Sequence, residues 1–325
     1  MKVMSRGIAI LLAIFFLAGF ISCASRATVQ AEEYYTIGMA FFELGRFTDA
    51  ETWLNRARSA DKTMIASEYN LGRIAFETGR FMEAAQLFER ILEKDPDNVM
   101  VLRALAYARI RNGDLEIAEA LYDRILELVP ENADEGFNYA LVLYGLQKFE
   151  ESEEVLSKYS HTFDENQSSI LLFARAQKAQ NKVEAVDSYA RWMTTNSTGT
   201  PNPQGIFEYA QVLELAGHFG RALEHYNLAL ESHIKDTEQL KLSTLRFGKA
   251  SLLLVEDTGN SEGMEEFTLA IREGFSDTLA ISDLLSSEKL TKDARTEIQR
   301  VLTDLLIKER EQLEAGETET EDEES

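Results

Sequence analysis

Histidine and cysteine are the side chains that most readily bind metals or act as nucleophiles, and this chain has few of them. His218 and His225 are seven residues apart, a spacing that puts two side chains on one face of a continuous helix. However, Gly217 and Gly220 flank His218 and indicate a turn there. We therefore predict exposed histidines rather than a metal site. The four histidines are His161, His218, His225 and His233, and the single cysteine is Cys23.

Carboxylates are abundant, with 56 Asp and Glu residues, but none has an apolar setting that would visibly raise its pKa. Solvated helix faces explain their number. The sequence also lacks a phosphate-binding loop, a dinucleotide-binding glycine pattern, a nucleophile elbow and a zinc-protease helix. We predict a protein that is not an enzyme and that needs no cofactor.

Small residues recur at a fixed interval, and this recurrence indicates the architecture. One series has steps of 34 residues and runs Gly38, Gly72, Ala106, Ala140, Ala174. A second series follows the first four members by twelve positions and runs Ala50, Ala84, Ala118, Ser152. Between them, apolar residues three and four positions apart form stripes on helices. The pattern predicts a stack of helical hairpins, an architecture that binds other molecules more often than it catalyses.

The residues within each interval resemble a known repeat. The best-formed interval contains Leu71-Gly72, Gly79, Ala84, Phe88, Ile91 and Pro96, and the next contains Leu105-Ala106, Gly113, Ala118, Tyr122, Ile125 and Pro130. This order is similar to that of the tetratricopeptide repeat (TPR). The resemblance covers about seven units over 31–275. It implies an all-α fold, a right-handed α-solenoid of about seven TPR helical hairpins with a C-terminal capping helix.

Other residues in the repeats predict local details of the hairpins. Gly72 and Ala84 lie where two helices must approach closely. Thr48 with Glu51 has the spacing of a capping box for the helix that follows. A left-handed helix end requires a residue without a Cβ, and Gln147 replaces it in the fourth unit. The glycines at this position in the first three units are Gly45, Gly79 and Gly113.

The resemblance also implies a concave groove lined by the first helix of each unit. The composition of these positions, aromatic with a few cations, suits an extended peptide or a helix with apolar anchors and some carboxylates. The alternative is that several aromatics pack between neighbouring units and that the cations only balance local acids. The predicted groove residues are Tyr35, Phe42, Tyr69, Arg73, Phe76, Arg103, Tyr107, Arg111, Phe137, Tyr144, Arg175 and Lys178.

The N-terminal residues predict a targeting segment rather than part of the fold. Lys2 and Arg6 precede an apolar run at 7–21, which is short for a bilayer span. The run ends in Phe20-Ile21-Ser22-Cys23 and resembles a bacterial lipoprotein signal. That resemblance implies lipidation of Cys23 and a periplasm-facing protein of the bacterial cell envelope. The alternatives are an ordinary secretory signal, or an uncleaved anchor, with an incidental cysteine.

Net charge limits the partners of the chain. At −23 the protein is strongly acidic, and nucleic acid is excluded because phosphate binding needs clustered Lys and Arg. The last twelve residues hold seven acids and no base, which predicts a disordered acidic tail. The predicted organisation is a signal peptide at 1–22, a lipid-anchored linker at 23–30, the TPR solenoid at 31–275, C-terminal capping helices at 276–313 and the tail at 314–325.

These features favour a lipid-anchored scaffold that binds envelope proteins or peptide segments in its groove and a membrane through Cys23. The resemblance to TPR proteins also leaves a second function open. It is a TPR lipoprotein accessory to a solute transporter, with a small apolar or acidic ligand against Phe42, Phe76, Phe137 and Tyr144. A regulatory alternative places the acidic tail on Arg103, Arg111 and Arg175.

Overall fold

The computed structural model describes residues 28–162, 166–195, 202–233, 235–237, 240–256 and 260–305, and within these ranges the protein is all-α. The predicted fold class is confirmed. The described helices are α1 (28–43), α2 (Phe47–Ala60), α3 (Ile65–Glu77), α4 (Phe81–Leu92), α5 (Val99–Asn112), α6 (Leu115–Leu128), α7 (Ala133–Gly145), α8 (Phe149–Lys158), α9 (Gln167–Ala179), α10 (Ala185–Thr195), α11 (Pro203–Leu215), α12 (Phe219–Ser232), α13 (Leu242–Glu256), α14 (Ser261–Arg272), α15 (Thr278–Ser286) and α16 (292–305).

The chain divides into two compact units, Met1–Tyr159 and Ser160–Ser325. In the first unit, α1 to α8 form four consecutive helical hairpins, each made of a first and a second helix. In the second unit, α9 to α14 form three more hairpins, and α15 and α16 follow them. Each unit has its own buried apolar clusters, which run from Ala50 to Val142 in the first and from Ile170 to Val301 in the second.

The small residues of the repeat allow the two helices of a hairpin to approach closely. A Cβ placed on Gly72 would lie 2.5 Å from Cε1 of Phe88, and one placed on Gly38 would lie 2.8 Å from Cγ of Leu54. Ala84, on the facing helix α4, is fully buried. The predicted close approach is confirmed, since any larger side chain would displace a buried neighbour.

The turn inside each of the first five hairpins uses a left-handed residue at the same 34-residue spacing. Gly45, Gly79 and Gly113 have φ values of 69°, 78° and 90°, which confirms the glycine prediction. The fourth and fifth hairpins keep this backbone without glycine, because Gln147 has a φ of 61° and Asn181 a φ of 55°. The turn geometry therefore persists where the glycine signal is lost.

The helix starts differ from the prediction. The capping box of Thr48 and Glu51 is wrong, because α2 begins at Phe47 and places Thr48 inside the first turn, with no side-chain cap at Arg46. Glu51 instead accepts a hydrogen bond from Arg80 Nη2 of the next hairpin at 2.9 Å. Side-chain caps occur at four of the first helices, α5, α7, α9 and α11, where an asparagine Oδ1 accepts from the backbone N–H three residues on. These asparagines are Asn98, Asn132, Asn166 and Asn202.

The second unit ends with the helices α15 and α16. Over the residues described, the predicted C-terminal capping helices at 276–313 correspond to α15 and α16. Ile298 and Val301 of α16 are buried, and Leu302 and Leu305 pack against the same apolar cluster. Its predicted continuation beyond 305 lies outside the described residues.

Candidate functional site

The predicted groove residues of the first unit all lie on the first helices of its hairpins. We call these ten residues, with the helix surface that carries them, the first-helix face. They are Tyr35 and Phe42 on α1, Tyr69, Arg73 and Phe76 on α3, Arg103, Tyr107 and Arg111 on α5, and Phe137 and Tyr144 on α7. Tyr107 and Arg111 are exposed, and the other eight are half-buried.

Hydrogen bonds join consecutive first helices across this face. Asn70 Nδ2 on α3 donates to the hydroxyl oxygen of Tyr35 on α1 at 3.0 Å. Asn138 Nδ2 on α7 donates to the hydroxyl oxygen of Tyr107 on α5, also at 3.0 Å. These tyrosines therefore hold neighbouring hairpins together while part of each ring stays accessible.

Arg103 is committed to the fold. Its guanidinium forms an ion pair with Glu135 of α7, whose side chain is only 2% exposed. Burial raises the pKa of the neighbouring Tyr122 hydroxyl well above its usual range, and the nearby Tyr107 and Glu135 raise it further. Because a buried carboxylate without its partner is strongly destabilising, Arg103 acts first as the counter-charge of Glu135.

Arg73 and Arg111 have a different setting. The Arg73 guanidinium lies 4.4 Å from the centre of the Phe42 ring and donates to Asn70 Oδ1 at 2.9 Å. The Arg111 guanidinium lies 4.6 Å from the centre of the Phe81 ring. Within the described part of the chain, neither arginine forms an ion pair with a carboxylate. Their charge is held in place by rings and amides and stays uncompensated.

Three of the predicted aromatics also pack inside their own hairpins. Each forms a ring pair with the aromatic residue that begins the second helix, five positions later. The ring pairs are Phe42 with Phe47, Phe76 with Phe81 and Tyr144 with Phe149, with centroid separations of 5.6, 5.4 and 5.2 Å. These three rings therefore pack within their own hairpins, whereas the alternative for the aromatic set placed such packing between neighbouring units.

Arg175 and Lys178, the last two predicted groove residues, belong to the second unit. Arg175 Nε lies 2.8 Å from Glu208 Oε2, and Lys178 Nζ donates to Gln211 Oε1 at 2.6 Å. Burial lowers the pKa of Lys178, and nearby Arg175 adds to this effect while Glu208 opposes it. The predicted set is thus distributed over two units.

The histidines are not assembled into a metal site in the described ranges, where no group of three or more His, Cys, Asp or Glu side chains could hold an ion. His161 and His218 are exposed as predicted. His225 instead packs edge-on against Tyr209, with centroids 4.7 Å apart. The prediction is wrong for His233, whose side chain is 7% exposed and lies 2.9 Å from Asp236.

The predicted signal peptide, the lipidated Cys23 and the acidic tail lie outside the described residues. Among the helices of the described chain, none combines the length and apolar character needed to cross a bilayer.

Stacked helical hairpins with a small residue at each close contact define the class of α-helical repeat proteins. Within that class, residues 69–133 and 103–166 match one tetratricopeptide-repeat family model, and residues 31–63 match another. These matches show tetratricopeptide repeats at 31–63 and 69–166 of the chain. No curated protein matches its sequence.

Three solved structures are similar to the chain. A tetratricopeptide repeat protein from Parabacteroides merdae is 18% identical with a TM-score of 0.56, covering 78% of this chain and 97% of its own. MamA from Desulfovibrio magneticus is 15% identical with a TM-score of 0.50, covering 53% and 98%. YrrB, described as a TPR protein with an unusual peptide-binding site, is 17% identical with a TM-score of 0.49, covering 61% and 98%. At these identities the likeness concerns the fold alone.

Proposed function

We propose that this protein is a non-enzymatic scaffold that binds a partner protein on the first-helix face of its first unit. The observation that carries the proposal is the pair Arg73 and Arg111. In a chain of net charge −23, both guanidiniums are positioned by aromatic rings, and neither has a carboxylate partner in the described ranges. Ring-held arginines are frequent energetic anchors at protein interfaces.

The chemistry of the face favours a partner segment with both acidic and apolar side chains. Tyr107 and Leu141 are exposed and offer apolar contact area. The carboxylates of a partner would find Arg73 and Arg111 positioned for charge-assisted hydrogen bonds. The strongly acidic surroundings would repel a segment that carried only negative charge, so apolar anchoring has to accompany the acids.

The experiment reverses the two uncompensated charges. Short peptides are selected from a random display library on the purified protein, and the best are measured on the variant Arg73→Glu with Arg111→Glu. We expect the selected peptides to combine Asp or Glu with aromatic or aliphatic residues. Their affinity should fall at least about ten-fold in the double variant, since two charge-assisted contacts are lost.

Arg56 provides a matched control. Its guanidinium lies 4.4 Å from the centre of the Trp53 ring, but both residues are on the second helix α2. Arg56→Glu should leave peptide affinity unchanged. An equal loss in Arg56→Glu, or selected peptides without acidic residues, contradicts the proposal. Arg103 is unsuitable for this test because reversing its charge would place two carboxylates together at the buried Glu135.

We also propose that the scaffold is attached to a membrane of the bacterial cell envelope, facing the periplasm, through lipidated Cys23. The support is the charged start, the short apolar run and the Phe20-Ile21-Ser22-Cys23 sequence. Several acyl chains on one residue would give stable anchoring. In bacteria fed radiolabelled palmitate, the protein should take up label and Cys23→Ala should not. Equal labelling of both, or of neither, contradicts lipidation.

A further inference from the structure

A cavity of about 240 Å³ lies at the turn end of the fifth hairpin, within the second unit. Its walls include Lys178 at the end of α9, Lys182 in the turn, Val186 on α10 and Val212 on α11. It is separate from the first-helix face, and nothing about partner binding there depends on it.

The cavity has a specific origin in the repeat. In the first, second and fourth hairpins, a ring pair occupies the end of the hairpin. The positions 34 residues after Tyr144 and Phe149 are Lys178 and Val183. Two aromatic rings are therefore replaced by a flexible cationic chain and a small aliphatic residue. The volume that the rings would fill stays open.

The mouth of the cavity is apolar. Val183 is 77% exposed and Leu215 is 76% exposed, the two highest values among the large apolar residues described. Single exposed apolar residues are ordinary on a protein surface. Here, however, both line the same cavity, together with Val186 and Val212. An apolar ligand group would cover the two exposed side chains, Val183 and Leu215, and pack against Val186 and the buried Val212.

One wall of the cavity is cationic. Lys178 Nζ donates to the neutral Gln211 Oε1, and it has no ion pair with a carboxylate among the residues described. The nearby Glu208 is instead bonded to Arg175 at 2.8 Å. Lys182 adds a second ammonium group to the lining. Burial lowers the pKa of Lys178, because a partly desolvated ammonium group is less stable in its charged form, and a nearby anion would offset this effect.

We propose that this cavity binds an aliphatic carboxylate, with the hydrocarbon part against Val183, Val186, Val212 and Leu215 and the carboxylate at Lys178. Two sources of this chemistry fit: a free fatty acid, and the last residue of a peptide that ends in Val or Leu. Both ligands carry a branched or linear apolar group next to a carboxylate, and both would bind without forming a covalent bond.

The test uses the purified full-length protein and two ligand series. The first compares octanoate with octan-1-ol, and the second compares a peptide ending in free leucine with the same peptide amidated. Calorimetry gives the affinities, and methyl NMR shifts of Val183 and Leu215 locate the site. We expect at least one carboxylate to bind at least about ten-fold tighter than its neutral counterpart. Which series binds identifies the source.

Two variants test the position. Lys178→Tyr with Val183→Phe installs the ring pair of the fourth hairpin and should fill the cavity, abolishing binding while helicity is kept. Lys178→Met keeps most of the side-chain length and removes the charge, so it should remove the preference for carboxylate over alcohol. Leu279→Phe, at an exposed leucine of α15 outside the cavity lining, is the control and should bind as wild type.

Three outcomes would overturn the proposal. The first is that neither carboxylate binds the wild-type protein. The second is that octanoate and octan-1-ol, and the acid and amide peptides, bind equally. The third is that the ring-pair variant, shown by circular dichroism to be folded, still binds with wild-type affinity.

Discussion

Charge partners separate the arginines of the first-helix face into two groups. Arg103 is paired with a buried glutamate, whereas Arg73 and Arg111 rest on rings without an acid in the described ranges. The sequence identified all three as candidates from the repeat positions alone. It could not separate them, because the pairing of Arg103 with Glu135 joins residues 32 positions apart in different hairpins.

At Gly72 the close contact with Phe88 leaves no space for a side chain. In Gly72→Ala the new Cβ would lie 2.5 Å from Cε1 of Phe88, which is 1% exposed, so the ring would have to shift within the core. We expect a loss of about 1–3 kcal/mol in the free energy of unfolding, measured by urea denaturation.

Gly220 is the matched control for this prediction. It lies in the first turn of α12, and a Cβ there would meet nothing within 4 Å. Gly220→Ala should therefore be neutral or stabilise by up to about 1 kcal/mol. Equal effects of the two substitutions would show that packing against Phe88 does not set the need for glycine.

Among the elements, three consecutive first helices, α5, α7 and α9, share a start signal that the sequence analysis missed. Asn98, Asn132 and Asn166 recur at the same 34-residue spacing as the small residues, and each caps a first helix. The signal was available in the sequence, since asparagine is a preferred N-cap. The capping box assigned at Thr48 used a weaker pattern, and the start of α2 one residue earlier overrode it.

The left-handed backbone of Gln147, in the turn of the fourth hairpin, predicts how a glycine substitution there changes stability. This residue has a φ of 61°, a backbone region that costs a side chain about 1–2 kcal/mol relative to glycine. Gln147→Gly should raise the free energy of unfolding by about 1 kcal/mol in thermal or urea denaturation.

The opposite substitution, of glycine by glutamine, tests the same backbone strain. Gly113 occupies the corresponding position one hairpin earlier, with a φ of 90° and open space around it. Gly113→Gln should therefore destabilise by a similar amount. If Gln147→Gly is destabilising instead, contacts of the glutamine side chain outweigh the backbone strain.

For the molecule as a whole, the sequence predicts one continuous array, whereas the structure divides into two compact units at Tyr159. The repeat pattern in the sequence predicts the contacts within one hairpin and between adjacent hairpins. It weakens around residues 147–189, where glycine and aromatic positions are replaced, so a boundary there carries no clear sequence signal. Part of the lining of the proposed cavity, including Lys178, Lys182 and Val186, comes from this stretch.

The division predicts that each unit folds alone. Residues 28–159 and 160–305, expressed separately, should both be helical and unfold cooperatively, because each contains its own apolar clusters. Circular dichroism and dispersed amide NMR spectra provide the measurement. A fragment that stays unfolded in isolation would show that its clusters are insufficient without the other half.

The polar contacts between consecutive first helices also affect which hairpins pack as neighbours, since the hairpins are similar in sequence. These contacts are not all alike: Tyr35 with Asn70 and Tyr107 with Asn138 join tyrosine to asparagine, whereas Arg103 with Glu135 joins arginine to glutamate. A hairpin docked on the wrong copy would satisfy the apolar contacts but leave Glu135 buried without a counter-charge, at a cost of several kcal/mol. Shuffled arrangements are thereby disfavoured, and the similarity of the copies does not become a source of misfolding.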